Sequence, residues 1–284
     1  MSPGYRLRLP VLAGRRGNRA LGDRRIFAIG DIHGCDDLLS ALLTEITSAT
    51  AADAKGPLLI FLGDYVDRGP DSRNVIERLN SLAARGISAR FLCGNHEEVL
   101  LRFLERPESA GDWLEFGGRS TLLSYGVHPP DDVLHSQAWQ DVRMALLTAL
   151  PDSHLRFLRS LEDSIDLGDF LFVHAGVDPS RPLEQQKSHD LRWMREPFLS
   201  DPRQLTRMIV HGHSPTLKPH FDRRRIGIDT WAYHSGILTA VELFGTRVRF
   251  LQARRQGEEI RSTWMDTKGN SQEVHSSGSV LPQP

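Results

Sequence analysis

Five short apolar segments of this sequence are each followed directly by side chains that bind metals or anions. The segments are rich in branched and aromatic residues, which predicts strands buried on both faces of a sheet. They occupy residues 26–29, 58–62, 91–93, 170–173 and 208–210. In open α/β sheets, ligands collect outside the carboxyl ends of the strands. We therefore expect the five segment ends to converge on one crevice.

The loop after the second segment carries the densest chemistry. Gly63 ends the predicted strand, Asp64 stands at its tip, and Asp67 and Arg68 follow on a turn that Gly69 closes. Carboxylates can bind a cation, and a guanidinium can bind a phosphate through two parallel hydrogen bonds. This one loop therefore predicts both a metal site and a phosphate site.

The other four segment ends supply carboxylate, amide and imidazole groups. The candidate metal ligands there are Asp31, His33, Asn95, His174 and His213. His211 is an alternative to His213 because both flank Gly212, but the Ser-Pro pair that follows favours His213. Together with Asp64 these residues form a set without thiolate, which suits manganese, iron or zinc and argues against a closed structural zinc site.

Asp64 is the candidate bridge between two divalent ions. We expect Asp31 and His33 to complete one side, and Asn95, His174 and His213 the other. Two ions about 3.5–4 Å apart lower the pKa of a shared water and hold the oxygens of an in-line displacement at phosphorus. Two dications against two carboxylates leave net positive charge, which favours a phosphate dianion. The ligand set therefore predicts hydrolysis of phosphate esters.

Phosphoryl transfer also needs cations on the phosphate oxygens and an acid for the leaving group. Arg68 is the first candidate for phosphate binding, and Asn95 is predicted to contribute to it. A second arginine is expected from residues 191–196, where Arg195 is preferred to Arg192. His96 is the candidate acid, with Asp67 holding its other ring nitrogen and favouring the imidazolium.

The order of patterns predicts one α/β (α+β) domain over residues 23–255. Three strand-helix units come first, which argues for parallel strands with helices outside. Residues 107–166 are predicted as a helical insertion that caps or borders the crevice, with a plain connecting subdomain as the alternative. The later apolar runs at 225–229, 237–243 and 248–251 suit an antiparallel or mixed second sheet.

The two ends of the sequence have different compositions. Residues 1–22 are rich in arginine, glycine and proline and are predicted to be a basic flexible arm. Residues 256–284 are polar and rich in serine and glycine, so we expect a tail there.

Overall charge and cysteine usage bear on partners and compartment. With 35 basic and 36 acidic side chains, the sequence gives no argument for nucleic acid or a membrane surface as a partner. No apolar run approaches the roughly 20 residues of a membrane span. Cys35 and Cys93 are expected to be reduced thiols that serve packing. We therefore expect a soluble cytoplasmic protein, and the ligand set above predicts a phosphate ester as its substrate.

The five motif blocks together resemble the calcineurin-like metallophosphoesterases of the phosphoprotein phosphatase type, and most of all their bacterial serine/threonine phosphatases. The blocks are Gly-Asp-Ile-His-Gly at 30–34, Gly-Asp-Tyr-Val-Asp-Arg-Gly at 63–69, Gly-Asn-His-Glu at 94–97, His174, and Gly212-His213. The resemblance implies a four-layer fold of two packed mixed β-sheets flanked by helices, and a dimetal centre often filled with manganese. It assigns ligand roles to Asp31, His33, Asp64, Asn95, His174 and His213, acid-pair roles to Asp67 and His96, and phosphate binding to Arg68 and Arg195.

The resemblance leaves the substrate open between related branches. Symmetrical diadenosine tetraphosphatases share the scaffold but typically have Ala at the position of Asp67 and Asp at that of Glu97, so we expect a serine/threonine protein phosphatase. A non-catalytic relative that only binds phosphoproteins or nucleotides is the remaining alternative, and the intact acid pair argues against it. The eukaryotic Ser-Ala-Pro-Asn loop is replaced here by residues 228–233. Binding of eukaryotic-type regulatory subunits or toxins is therefore not expected.

Overall fold

The computed structural model describes residues 24–130 and 136–273. The predicted basic arm at 1–22 and the final residues 274–284 lie outside the described residues. Within the described ranges, the strands form two sheets that pack face to face, with helices on the outer sides. The predicted α/β fold of two mixed sheets is confirmed.

The strands of the described ranges divide into a seven-stranded and a five-stranded sheet. They are β1 (Ile26–Ile29), β2 (Leu58–Phe61), β3 (Ser88–Phe91), β4 (Ser164–Leu167), β5 (Phe170–Val173), β6 (Met208–His211), β7 (His220–Phe221), β8 (Arg225–Gly227), β9 (Ile237–Phe244), β10 (Arg247–Gln256), β11 (Glu259–Asp266) and β12 (Ser271–Glu273). The first sheet has the order β12-β11-β10-β9-β1-β2-β3, and the second has β4-β5-β6-β8-β7. Strands β1, β2 and β3 are parallel, as the strand-helix units predict.

The helices follow the apolar spacing of the sequence. They are α1 (Asp36–Ala49), α2 (Ser72–Ser81), α3 (Asn95–Glu105), α4 (Ala110–Glu115), α5 (Gly118–Ser124), α6 (Ser136–Ala149), α7 (Asp152–Arg159), α8 (Ser188–Trp193) and α9 (Ala232–Ser235). In α1, the residues at helical spacing from Leu38 to Ile46 form the buried face. The described parts of the 107–166 stretch, 107–130 and 136–166, are mainly helical, but they also contain β4, which pairs with β5.

Alternation along the strands creates three apolar layers. On β1, Phe27 and Ile29 face the helices, while Ile26 and Ala28 face the second sheet. The far side of the second sheet is covered by Leu191 of α8 and by other apolar residues after β5. Helices, sheet, sheet and outer segment thus make four layers, and the carboxyl ends of β1, β2, β5 and β6 meet at one edge.

Three details of the sequence prediction are wrong. Strand β3 ends at Phe91, and Leu92 makes only an isolated bridge to Glu162. The later runs do not form one second sheet, because β9 pairs antiparallel with β1 in the first sheet while β8 joins the second. The domain also does not end near residue 255, since β10 pairs with β11 and β11 with β12.

The physical reason for the last error is that β11, which lies between β10 and β12, consists of half-buried and exposed residues. Such a strand lacks the continuous apolar run that marks a buried strand. Its anchor is Trp264, whose ring centroid lies 6.3 Å from that of Phe27 and whose indole N–H donates to Glu45 at 2.9 Å. None of the helices in the described ranges combines the length and hydrophobicity that a membrane crossing needs.

We expect Trp264→Ala to lower the free energy of unfolding by about 2–3 kcal/mol, less than for a fully buried tryptophan because the ring is half exposed. The substitution removes the contacts with Phe27 and Glu45 and the cation–π contact at 4.1 Å with Arg249. Urea denaturation measures the change. Arg261→Ala on the same strand is the control and should change stability by less than about 0.5 kcal/mol. Equal stability of both variants would contradict the anchoring role of Trp264.

Candidate active site

One cavity opens where the carboxyl ends of the two sheets meet. Its volume is about 200 Å³, and most of the predicted site residues line it. Those residues are Asp31, His33, Asp64, Arg68, Asn95, His96, Arg195 and His213. His174 is fully buried beside it, and Asp67 is fully buried behind His96. The expected convergence is therefore confirmed, although the strand ends come from two sheets.

Glu97 of α3 fixes the loops that carry the central residues. Its carboxylate accepts backbone N–H hydrogen bonds from Asp64 at 2.8 Å, Tyr65 at 2.7 Å and Gly94 at 3.0 Å. Gly63 has φ +103°, and a Cβ atom there would lie 2.6 Å from the Gly94 nitrogen, so only glycine fits this close approach. The loop after β2 is thereby held against the start of α3.

The two carboxylate oxygens of Asp64 face different histidines. Oδ2 lies 3.5 Å from Nε2 of His33, and Oδ1 lies 3.3 Å from Nε2 of His174. Two groups of donor atoms, each within 4.8 Å of one another, share this carboxylate: His33, Asp64 and His96, and Asp64, His174 and His213. A carboxylate between two donor groups is suited to bridge two cations.

His174 lies among oxygen atoms of two neighbouring side chains that can bind a cation. Its Nδ1–H donates to the Leu62 carbonyl at 2.8 Å, which leaves a lone pair on Nε2. That nitrogen lies 3.0 Å from Oδ1 of Asn95 and 3.3 Å from Oδ1 of Asp64. Burial alone would lower the pKa of His174, but the Asp64 carboxylate raises it. A cation among these three acceptor atoms would satisfy them all.

Asp31 gives a second indication of a cation site. Its Oδ2 accepts the backbone N–H of His213 at 2.9 Å, while its Oδ1 is buried without a hydrogen-bond partner. Burial and the neighbouring carboxylates of Asp229 and Asp64 raise the pKa of Asp31 well above its usual value. Crowded, buried carboxylates of this kind are stabilised by a bound divalent ion. The residues present therefore fit the metal centre that the sequence predicts, although their individual ligand roles stay a prediction.

The imidazoles of His33 and His213 are available as neutral ligands. Burial, together with the nearby positive histidines, lowers the pKa of each to about 3. The Nδ1–H of His33 donates to the Val66 carbonyl at 2.9 Å, which directs its Nε2 toward Asp64. A second hydrogen bond that fixes the tautomer is the usual arrangement for a metal-binding histidine.

His96 and Asp67 form the predicted pair. The Nδ1–H of His96 donates to Oδ2 of Asp67 at 2.8 Å. The other ring nitrogen, Nε2, can therefore interact with a ligand in the cavity that His96 lines. Asp67 also accepts hydrogen bonds from the Trp113 indole at 3.1 Å and the Thr121 hydroxyl at 2.6 Å. Burial alone would lower the pKa of His96, but Asp64 and Asp67 raise it to about 9. The geometry suits an imidazolium that can donate a proton into the cavity.

The sequence left a choice between Arg195 and Arg192 and between His213 and His211, and the members of each pair lie in different surroundings in the structure. Arg195 lines the cavity, whereas Arg192 is paired with Asp163 and Glu98 outside it. His211 has its Nε2 3.0 Å from the Arg225 guanidinium and does not line the cavity, so the position favours His213. Their roles in binding phosphate or metal stay predictions. Cys35 and Cys93 are free and buried.

Strained backbone is concentrated at this site. Among the described residues, six that are not glycine have positive φ, and five of them are predicted site residues. These are His33, Asp64, Asp67, Arg68 and His213, and the sixth is Trp231 at φ +63°. Such conformations persist only where the surroundings hold them, and they collect at functional sites.

Sequence reasoning missed several residues of the site. Asp229, Trp231, Tyr233, Phe116, Trp193 and Pro215 also line the cavity. Trp113 and Thr121 come from the predicted insertion and support Asp67, and Phe116 from the same stretch faces His96 with ring centroids 5.5 Å apart. The insertion therefore borders the crevice. The ligand-like position of Asp229, two residues beyond β8, was the available signal for that residue.

The fold and the site together define a metal-dependent phosphoesterase. The family model for calcineurin-like phosphoesterases matches residues 24–237, and the protein belongs to this family. Members of the family use divalent metals, and the clustered histidine and aspartate groups described above could hold such ions.

The relatives and structural neighbours carry several names. The protein is 31% identical over 236 residues to a bis(5'-nucleosyl)-tetraphosphatase PrpE (asymmetrical) from Geobacillus sp. (strain WCH70), covering 76% of this sequence and 89% of that one. A solved structure provisionally named a diadenosine tetraphosphatase matches with a TM-score of 0.55 and 22% identity, covering 83% of this protein and 96% of that one. A serine/threonine phosphatase from Saccharomyces cerevisiae matches with a TM-score of 0.51 and 14% identity over 85% of this protein and 83% of that one. These two structural likenesses show the fold.

We expect Asp64→Asn to abolish metal retention, because an amide cannot present two anionic oxygens to the histidines on either side. Metal content after desalting, measured by plasma mass spectrometry on protein prepared with manganese, should fall from about two ions per molecule to near none. Asp71→Asn is the control, since it removes the same charge from a side chain outside the cavity. Unchanged metal content in Asp64→Asn, with folding confirmed by circular dichroism, would contradict the bridging role.

Proposed function

We propose that this phosphoesterase hydrolyses phosphate monoesters of serine and threonine side chains in proteins. The observation that carries the proposal is the pair of His96 and Asp67, hydrogen bonded at 2.8 Å beside the cavity. A serine or threonine alkoxide is a poor leaving group and needs a proton as the ester bond breaks. The phosphate released from an anhydride needs that proton far less. A positioned general acid therefore favours an alkyl phosphate ester as substrate.

In the proposed reaction each cavity residue has a separate task. Arg68 and Arg195 bind oxygens of the phosphate and orient it for in-line displacement. His96 donates its Nε2 proton to the leaving oxygen, while Asp67 keeps the ring oriented and stabilises the imidazolium. Two divalent ions, held by Asp64 and the ligands around it, would lower the pKa of water and offset the negative charge of the phosphate. We propose manganese, with iron or zinc as alternatives that suit the same nitrogen and oxygen ligands.

We also propose that the protein works in a reducing compartment such as the cytoplasm, because its two cysteines are free and buried. The expected partner there is a phosphoprotein.

Asymmetrical hydrolysis of a dinucleoside tetraphosphate is the second candidate function. The names of the PrpE relatives favour it, and so do the aromatic side chains of the cavity. Phe116, Trp193, Trp231 and Tyr233 all contribute to the lining. Stacking of a base on an aromatic ring contributes about 1–3 kcal/mol, so these rings could hold an adenine.

Rates on one preparation of manganese-loaded protein separate the candidates. We expect faster hydrolysis, as kcat/KM, of a phosphoserine peptide than of diadenosine tetraphosphate, because the acid pair assists an alkoxide most. Faster cleavage of the dinucleotide would reverse the ranking, and its products then show whether cleavage is asymmetrical. para-Nitrophenyl phosphate is the control for any hydrolysis at all. No turnover of it above a metal-free sample between pH 6 and 9 would leave only binding of phosphorylated ligands.

We expect His96→Asn to retain the metals but to lower kcat for a phosphoserine peptide by about 100-fold or more, the usual range for loss of a general acid. The loss on para-nitrophenyl phosphate should be much smaller, because nitrophenolate leaves without a proton. Steady-state kinetics on both substrates and the metal content of the variant give the comparison. An equal loss on the aryl and alkyl esters would argue against His96 as the acid.

A further inference from the structure

The backbone of Arg68 is fixed, but its side chain extends into the cavity. Its N–H donates to the Gly117 carbonyl at 3.3 Å, and its carbonyl accepts the Ser120 hydroxyl at 3.1 Å. In the described ranges, no carboxylate forms an ion pair with its guanidinium. The contact that the guanidinium does make is with the ring of Tyr233, whose centroid lies 5.8 Å away.

Tyr233 lies between Arg68 and the metal-binding groups. Its ring is perpendicular to that of His33, with an interplanar angle of 88° and centroids 5.2 Å apart. It is half buried and lines the same cavity as both residues. One aromatic face is thus shared by a predicted phosphate-binding residue and a predicted metal ligand.

The segment that carries Tyr233 is held rigidly. The backbone of Trp231 adopts a left-handed conformation, and its N–H donates to the Asp229 carboxylate at 2.9 Å. The Ser235 hydroxyl donates to the Thr230 carbonyl at 2.6 Å, and Gly236 accepts the N–H of Arg255 on β10 at 2.8 Å. These bonds tie both ends of α9 to neighbouring segments, so the position of the Tyr233 ring is set by the fold.

We infer that Tyr233 is a positioning residue, which holds the Arg68 guanidinium in the part of the cavity where it can bind the phosphate oxygens. Ordering a free arginine side chain on binding costs conformational entropy, and a ring that orders it beforehand reduces that cost. A cation–π contact at an exposed site is weak, but it is retained when the planar guanidinium turns its N–H groups to a phosphate. This inference rests on the proposed phosphate-binding role of Arg68.

The test is the affinity of manganese-loaded protein for inorganic phosphate, measured by calorimetry, together with KM and kcat for para-nitrophenyl phosphate. We expect Tyr233→Ala to raise both the phosphate Kd and KM about two- to fivefold, as loss of one exposed cation–π contact implies, with a smaller change in kcat. Tyr233→Phe keeps the ring and should retain the unmodified values. Arg261→Ala on β11 is the control, because Arg261 is exposed and does not line the cavity.

A double-mutant cycle with Arg68→Ala separates positioning from general damage. In the Arg68→Ala background, Tyr233→Ala should have no further effect on phosphate affinity. Additive effects, an unchanged Kd in Tyr233→Ala, or an equal loss in Tyr233→Phe would each overturn the inference. Because inorganic phosphate is the probe, the result does not depend on which ester is hydrolysed. Protein that binds phosphate but hydrolyses no ester would overturn the proposed function alone.

Discussion

The fully buried carboxylate of Glu97 holds together two of the loops that carry candidate metal ligands. By accepting backbone N–H groups from Asp64, Tyr65 and Gly94, it joins the loop after β2 to the start of α3. Burial and the nearby Asp64 raise the pKa of Glu97 to about 7, and its hydrogen bonds offset part of that penalty. Asp64 and Asn95 therefore owe their positions to a residue that does not line the cavity.

The position of the site follows from how the two sheets pack. Alternating residues of β1 and β2 fill the layer between the sheets, which fixes the relative height of their carboxyl ends. Asp31 and Asp64 come from one sheet, and His174 and His213 from the other. The donor group of Asp64, His174 and His213 therefore draws on both sheets. The apolar layer thus sets the distances on which the polar site depends.

Much of this could be predicted from the sequence, because ligand-type residues directly follow buried strands and ligands collect at the carboxyl ends of such strands. The helices α1 and α2 were equally clear from their apolar spacing. Residues whose role depends on distant partners could not be found in this way. Trp113 and Thr121 reach Asp67 across 46 and 54 residues of sequence, and no local pattern encodes such contacts. Strand β11 was missed because its residues are half-buried or exposed, so it has no continuous apolar run.

The antiparallel pairing of β1 with β9 has a consequence for biosynthesis. Ile26 pairs with Leu243, so β1, an interior strand of the first sheet, acquires one of its two neighbours only when most of the polypeptide has been made. A nascent protein that has emerged from the ribosome only as far as β3 already carries Asp31, Asp64 and Arg68. It still lacks His174, His213 and strand β9, which pairs with β1. Contacts this far apart in sequence form late and slowly. An incomplete chain therefore lacks part of the candidate ligand set, which is complete only once residues up to His213 have been made.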